Sequence, residues 1–177
     1  MDELAATAGI DPLEFRLRHL TNDRLRGVLV AAAERFGWKK AWKANSSRQK
    51  TGVGLACGTE KGSYVACCVQ IDVDDSGSFK GVRATEAFEC GAIQNPANLT
   101  TQVEGCIVMG LGGALREEMR FKEGKILNPR FSQYQVPRFK DVPEIETVLV
   151  NRTDLPSVGA GETPIIGIAP AIAIKQK

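Results

Sequence analysis

A chain of 177 residues with 43% hydrophobic content is long enough to bury a core of its own and reads as globular. Its 23 lysines and arginines nearly balance 21 aspartates and glutamates, so no electrostatic footprint marks a nucleic-acid or anionic-membrane partner. No apolar run approaches the ~20 residues that cross a bilayer, and the acidic start Met1-Asp2-Glu3-Leu4 is unlike the basic head of a signal peptide, which makes the cytoplasm the expected address.

The first elements read as helices. One covers residues 2 to 9, and a second starts with Asp11 as N-cap and Pro12 at the first helical position, with Leu13, Leu17 and Leu20 on one face. A third runs from Asn22 or Asp23 to about Phe36, carries Leu25, Leu29, Ala32 and Ala33 at helical spacing, and stops at Gly37. Residues 39 to 50 are basic and polar around Trp42, and Asn45-Ser46-Ser47 reads as an exposed linker. The expected division is therefore a helical segment with its linker over 1–45 and an α+β domain over 46–177.

From Gly52 the period changes to two. Residues 52–58, 64–73 and 79–88 read as strands, the last two joined by the turn Asp74-Asp75-Ser76-Gly77. Asn95-Pro96 turns the chain into its longest helix, about 97 to 117, with Val103, Ile107, Leu111 and Leu115 on one face. Gly105, Gly110, Gly112 and Gly113 fall inside it, at up to ~1 kcal/mol each against alanine, so something is expected to approach that backbone closely. No P-loop or dinucleotide fingerprint surrounds these glycines. A hairpin across Glu123-Gly124, an extended surface loop over 128–143 and a strand over 145–150 follow.

The five cysteines (Cys57, Cys67, Cys68, Cys90, Cys106) have no C-x-x-C spacing and are odd in number, so they read as reduced and mostly buried. With His19 as the single histidine, neither a structural zinc nor an iron–sulfur cluster is expected, and no metal ligand is assigned.

One segment reads as reactive: Val158-Gly159-Ala160-Gly161-Glu162-Thr163-Pro164, a carboxylate held where a glycine loop enters a helix through Ile165, Ile168, Ala171 and Ile172. Two readings stand side by side. Glu162 complements a helix dipole, or it is a catalytic carboxylate.

Several blocks occur in a recognisable order. They are Met1-Asp2-Glu3-Leu4 with Asp11-Pro12-Leu13-Glu14-Phe15-Arg16, residues 91–96, Gln102-Val103-Glu104-Gly105, Met109-Gly110-Leu111-Gly112 with Ala114-Leu115, residues 134–139, Pro143-Glu144-Ile145-Glu146 and Gly159-Ala160-Gly161-Glu162-Thr163-Pro164. Across residues 1–173 this succession resembles the C-terminal part of the molybdopterin-binding subunit of the xanthine dehydrogenase and aldehyde oxidase family, in its isoquinoline 1-oxidoreductase-like branch.

The resemblance implies roles. Glu162 takes the place of the family's general base, which faces the molybdenum and activates its hydroxyl ligand for attack on an aldehyde or N-heteroaromatic carbon while hydride passes to a Mo=S group. Gln102 takes the place of the glutamine beside the pterin, and Gly159, Ala160 and Gly161 form the loop at the cofactor. Read without that context, Gln102 is a helix residue making a surface hydrogen bond. A carboxylate in a dry pocket would have its pKa raised toward the working pH.

The family's subunit is several times longer. An upstream molybdenum-domain segment and iron–sulfur and flavin subunits are the implied partners, and the end at residues 171–177 departs from the family pattern. The chain alone is expected to be inactive and to bind no cofactor. A second reading, from the amphipathic N-terminal helices, is a folded remnant or interaction module that self-associates, giving a homo-oligomer. The expected fold is α+β, with short N-terminal helices and then a mixed sheet packed against the long glycine-containing helix.

Overall fold

The structure, a computed structural model, describes residues 1–45 and 50–173. Residues 46–49, which hold the expected linker and the boundary between 1–45 and 46–177, and the divergent end at 174–177 lie outside the described residues.

Four helices open the chain: α1 (Asp2–Thr7), α2 (Pro12–His19), α3 (Asp23–Phe36) and α4 (Trp38–Asn45). Side-chain caps set two of the starts. Asp11 accepts from the Leu13 and Glu14 amides at 2.8 and 3.2 Å, and Asn22 accepts from the Leu25 amide at 3.0 Å. The same Asp11 carboxylate takes the Trp38 indole N–H at 3.0 Å, tying α2 to α4. A helix covers residues 39–45 of the stretch read as basic and polar, where Trp42 stacks on Trp38 with ring centroids 5.6 Å apart and gives the segment an apolar face.

The sheet contains β1 (Thr51–Glu60), β2 (Ser63–Val73), β3 (Phe79–Glu89) and β6 (Glu144–Leu149), in the order β1-β2-β3-β6. The first three pair antiparallel and β6 joins β3 in parallel, so the sheet is mixed. Between β3 and β6 the chain makes α5 (Pro96–Leu115), the small hairpin β4 (Phe121–Lys122) and β5 (Lys125–Ile126), and a 3-10 turn at Phe139–Asp141. A second 3-10 turn, Thr163–Ile166, and α6 (Ile168–Ala173) replace the single helix expected after Pro164. At the intervening Gly167 the chain presses onto the sheet, where a Cβ would lie 2.8 Å from the Cys67 Cβ.

Successive residues of a strand point to opposite faces, and here both faces are covered, so β2 is buried on both sides through its middle. On one face Val28, Leu29, Ala32, Ala33 and Phe36 of α3 pack on Leu55, Ala66, Cys68 and Ala87. On the other, Val103, Ile107 and Leu111 of α5 join Ile168, Ala171 and Ile172 of α6 over Val65, Cys67, Val69, Ala84 and Phe88. Each large side chain so buried is worth roughly 1.5–3 kcal/mol against exposure. Adjacent Cys67 and Cys68 fall in different cores, as strand alternation requires. All five cysteines are free thiols, and Cys57 alone is not fully buried.

The glycines of α5 divide. At Gly110 a Cβ would stand 2.4 Å from Ile168 Cγ2, so its absence lets α6 seat on α5, and at Gly112 a Cβ would meet Glu117 and Pro137. Gly105 and Gly113 face open space, so the expected close approach occurs at two of the four positions. Among the described residues no helix is long and apolar enough to cross a membrane.

Candidate functional site

Two segments far apart in sequence meet at one end of the sheet. The first turns of α5 start from Asn95, whose side chain accepts from the Asn98 amide at 3.0 Å with Pro96 in the first turn. Opposite runs the loop over 157–162. Between them lies a cleft of about 400 Å³ lined by the amides of Gln94, Asn95, Asn98 and Gln102, by Cys90, Ile93 and Leu99, and by Ser157, Gly159, Ala160 and Gly161.

The loop is held from both sides. Ser63 Oγ donates to the Gly159 carbonyl at 3.0 Å, and Gln102 Nε2 donates to the Gly161 carbonyl. Cys106 lies beneath that contact, its Sγ 3.7 Å from the same carbonyl and 3.6 Å from Gln102 Nε2. Gly159 and Gly161 have nothing within 4 Å of where a Cβ would be, so the loop offers bare backbone to its surroundings.

Glu162 follows directly, at the N-cap of the Thr163–Ile166 turn, but its side chain makes no capping bond. Its carboxylate is 81% exposed, with Lys61 Nζ at 3.9 Å. Such a long, solvated pair contributes little. The described residues therefore do not form the dry pocket that the general-base role calls for; Glu162 stands in water. Gln102, Gly159, Ala160 and Gly161 line one cleft, and Glu162 stands next to them in the chain. Among the described residues no group of three or more His, Cys, Asp or Glu side chains is placed to hold a metal ion.

Two buried acids escaped the sequence reading. Glu86 sits in β3 opposite Cys67 of β2 and Thr147 of β6, and it is fully buried. Neither of its carboxyl oxygens, nor Thr147 Oγ1, has a hydrogen-bond partner, and a Cβ at Gly167 would lie 3.2 Å from Glu86 Oε2. Burial pushes this carboxyl well above the usual range, and the neighbouring Cys67 thiol, a weak donor, opposes that only in part. Glu86 is thus a buried acid, biased toward its neutral form, directly beneath Gly167.

Glu89 ends β3 and is 1% exposed, yet it is fully partnered. It accepts from Arg24 Nε at 2.5 Å, Arg24 Nη2 at 2.7 Å and the Gly91 amide at 2.6 Å. Burial pushes its carboxyl up, and the Arg24 and Gly91 hydrogen bonds more than reverse that, leaving it below the ordinary glutamate range. Its partner lies 65 positions away, beyond the reach of any local pattern.

Residues 60–143 match the family model of a molybdopterin cofactor-binding domain. Over 186 aligned residues the chain is 26% identical to a nicotinate dehydrogenase subunit of Pseudomonas putida, covering 98% of this chain and 16% of that protein. It is 30% identical over 174 residues to the beta subunit of isoquinoline 1-oxidoreductase of Brevundimonas diminuta, covering 97% of this chain and 22% of that one. The crystal structure of quinoline 2-oxidoreductase from Pseudomonas putida 86 shares the fold, with a TM-score of 0.59 over 63% of this chain and 15% of that chain at 21% identity. The chain thus spans between 16% and 22% of the length of these two curated relatives. It belongs to the xanthine dehydrogenase and aldehyde oxidase family of molybdenum hydroxylases, matching part of the molybdopterin-binding subunit.

Proposed function

We propose that this chain is the segment of a molybdenum hydroxylase that carries the catalytic base, Glu162, and part of the cofactor cradle, Gln102, Gly159, Ala160 and Gly161, in an enzyme that hydroxylates N-heteroaromatics or aldehydes. The observation that carries this reading is the contact between Gln102 and Gly161, which joins two blocks 59 positions apart around one cleft. The relatives named for nicotinate and isoquinoline favour the N-heteroaromatic class.

The cleft fits the pterin part of such a group. Its lining includes Ser157 and four residues with uncharged side-chain amides, a chemistry able both to donate and to accept along a heterocycle edge, and the loop beside it presents backbone with no Cβ at Gly159 or Gly161. Gln102 commits an N–H to the Gly161 carbonyl and keeps its amide oxygen as an acceptor for the ligand. When bound, the molybdopterin group supplies the two-electron redox chemistry. Glu162, beside the cleft, accepts the proton released as the oxygen nucleophile attacks the substrate carbon. Closure of the site by the upstream part of the subunit removes water around Glu162. Iron–sulfur and flavin subunits then take the electrons, so the chain is inactive alone.

The test is molybdenum and pterin content of the chain purified alone and after co-expression with the upstream part of the Brevundimonas diminuta relative. Stoichiometric molybdenum is expected only in the second case. Glu162→Gln should keep the metal and lose about 10²–10⁴-fold in turnover, the usual contribution of a general base. A variant that turns over like the native complex would sink the assignment.

A second reading, self-association, is favoured by Phe131, Phe139 and Phe121, which are 98%, 102% and 76% exposed. Light scattering decides it: a homo-oligomer is expected, and a strict monomer would count against it.

A further inference from the structure

We propose that Arg24 is a positioning residue for the candidate site: from the N-terminal helical segment it holds, through Glu89 and the Gly62 carbonyl, both supports of the loop over 157–162. Its functional meaning rests on the reading of that loop as part of the cofactor cradle; the mechanical coupling does not.

Arg24 lies in the first turn of α3, ahead of residues 60–143 that match the cofactor-domain family. Its guanidinium is used on three sides. The fork engages both oxygens of Glu89, at 2.5 and 2.7 Å, Nη2 also donates to the Gly62 carbonyl at 3.2 Å, and the Tyr64 ring lies 4.4 Å from the guanidinium carbon. A planar bidentate donor does this and an ammonium does not.

Each partner leads to the loop. Glu89 fixes the Gly91 amide, and Gly91 sits at φ +79 so close to residue 156 that a Cβ would lie 2.0 Å from the Pro156 carbonyl oxygen. Around it the two segments exchange backbone bonds, from Ala92 N to Leu155 O, Arg152 N to Gly91 O and Val158 N to Cys90 O. That is the first support. Gly62 turns the hairpin between β1 and β2, and a Cβ there would touch Val158 at 3.5 Å. Its neighbours Ser63 and Lys61 reach the Gly159 carbonyl and the Glu162 carboxylate at 3.0 and 3.9 Å. That is the second. Among the described residues Arg24 bonds to both, so loss of its fork releases the loop from two directions at once.

The experiment is hydrogen exchange by mass spectrometry on the whole chain, comparing native protein with Arg24→Met, Arg24→Lys and, as a control, Leu29→Ala. Leu29 is a buried residue of the same helix in the core with Leu55, Ala66, Cys68 and Ala87. Amides of residues 155–163 should exchange about tenfold faster in Arg24→Met, with Arg24→Lys between it and the native chain. Leu29→Ala should speed exchange in α3 and spare the loop. Loop exchange in Arg24→Met within about twofold of native, or an equal rise in Leu29→Ala, overturns the proposal. Should Arg24→Met fail to fold, Arg24→Lys decides on the same peptides: faster loop exchange upholds the role and native exchange overturns it. No bound group is needed, so a native chain that never holds molybdenum refutes the cofactor reading while the loop measurement still decides Arg24.

Discussion

Replacing Glu86 by glutamine should change how the stability of this protein depends on pH. The folded carboxyl is raised well above the usual range by complete burial, which the weak Cys67 thiol donor only partly opposes, whereas in the unfolded chain it titrates near 4.3. Above that value the unfolded state has released a proton that the folded state retains. Stability is therefore full below the unfolded pKa and falls as pH rises toward the folded one, by about 1.4 kcal/mol per pH unit. Across pH 5 to 7 the native protein should therefore lose stability through this group, because the unfolded carboxyl releases its proton at lower pH than the folded one. Glutamine has nearly the same shape and no proton to lose, so the variant should lack that slope. Glu89, Asp74, Asp141 and Asp154 are shifted the other way. Their contributions are present above the unfolded carboxylate pKa and are lost as pH falls, outside this window. Urea denaturation of both proteins at pH 5, 6 and 7 is the assay. Parallel profiles would show that Glu86 is ionised or solvated in the native state, and the reasoning would be wrong.

Other outcomes follow from packing. Gly110→Ala drives a methyl to 2.4 Å from Ile168 and should cost about 1–3 kcal/mol in urea, whereas Gly113→Ala, in open space, should gain up to about 1 kcal/mol from helix propensity; equal effects would refute the contact. Native thiols should react slowly with a disulfide reagent at neutral pH, because burial raises all five and pushes Cys68 up to about 12. Cys57, the half-exposed one, should react first. Prompt labelling of several thiols in the folded protein would contradict the buried assignments.

What the sequence discloses about this fold is local. Asp11-Pro12 announces the start of α2 and Asn95-Pro96 that of α5, because a capping side chain and a fixed φ act within one turn. The hairpin of β2 and β3 is legible from alternation on either side of a turn. The pairing of β6 with β3 is not, since nothing in residues 144–149 states which strand they will meet. Glu86 is hidden for a related reason: in Ala84-Thr85-Glu86-Ala87 a glutamate on a strand reads as solvent-facing until two helical layers are known to cover both faces. The site blocks were visible through family resemblance, but the bond from Gln102 to Gly161, the grip of Arg24 on Glu89 and the exposure of Glu162 depend on how distant segments are brought together.

The parallel edge strand also bears on the order of assembly. β1, β2 and β3 are joined by short turns and can zip in sequence, while β6 reaches β3 only after the excursion through α5 and the small hairpin. Contacts such as Thr85 to Glu146, 61 positions apart, carry a loop-closure cost of roughly 3–4 kcal/mol from chain length alone. The edge strand should thus dock late, on a meander already formed. The glycine loop lies downstream of that strand, so the cleft is completed at the end of folding. A nascent chain stalled before β6 would present a three-stranded sheet with the β3 edge, which β6 later pairs, still open, and no site.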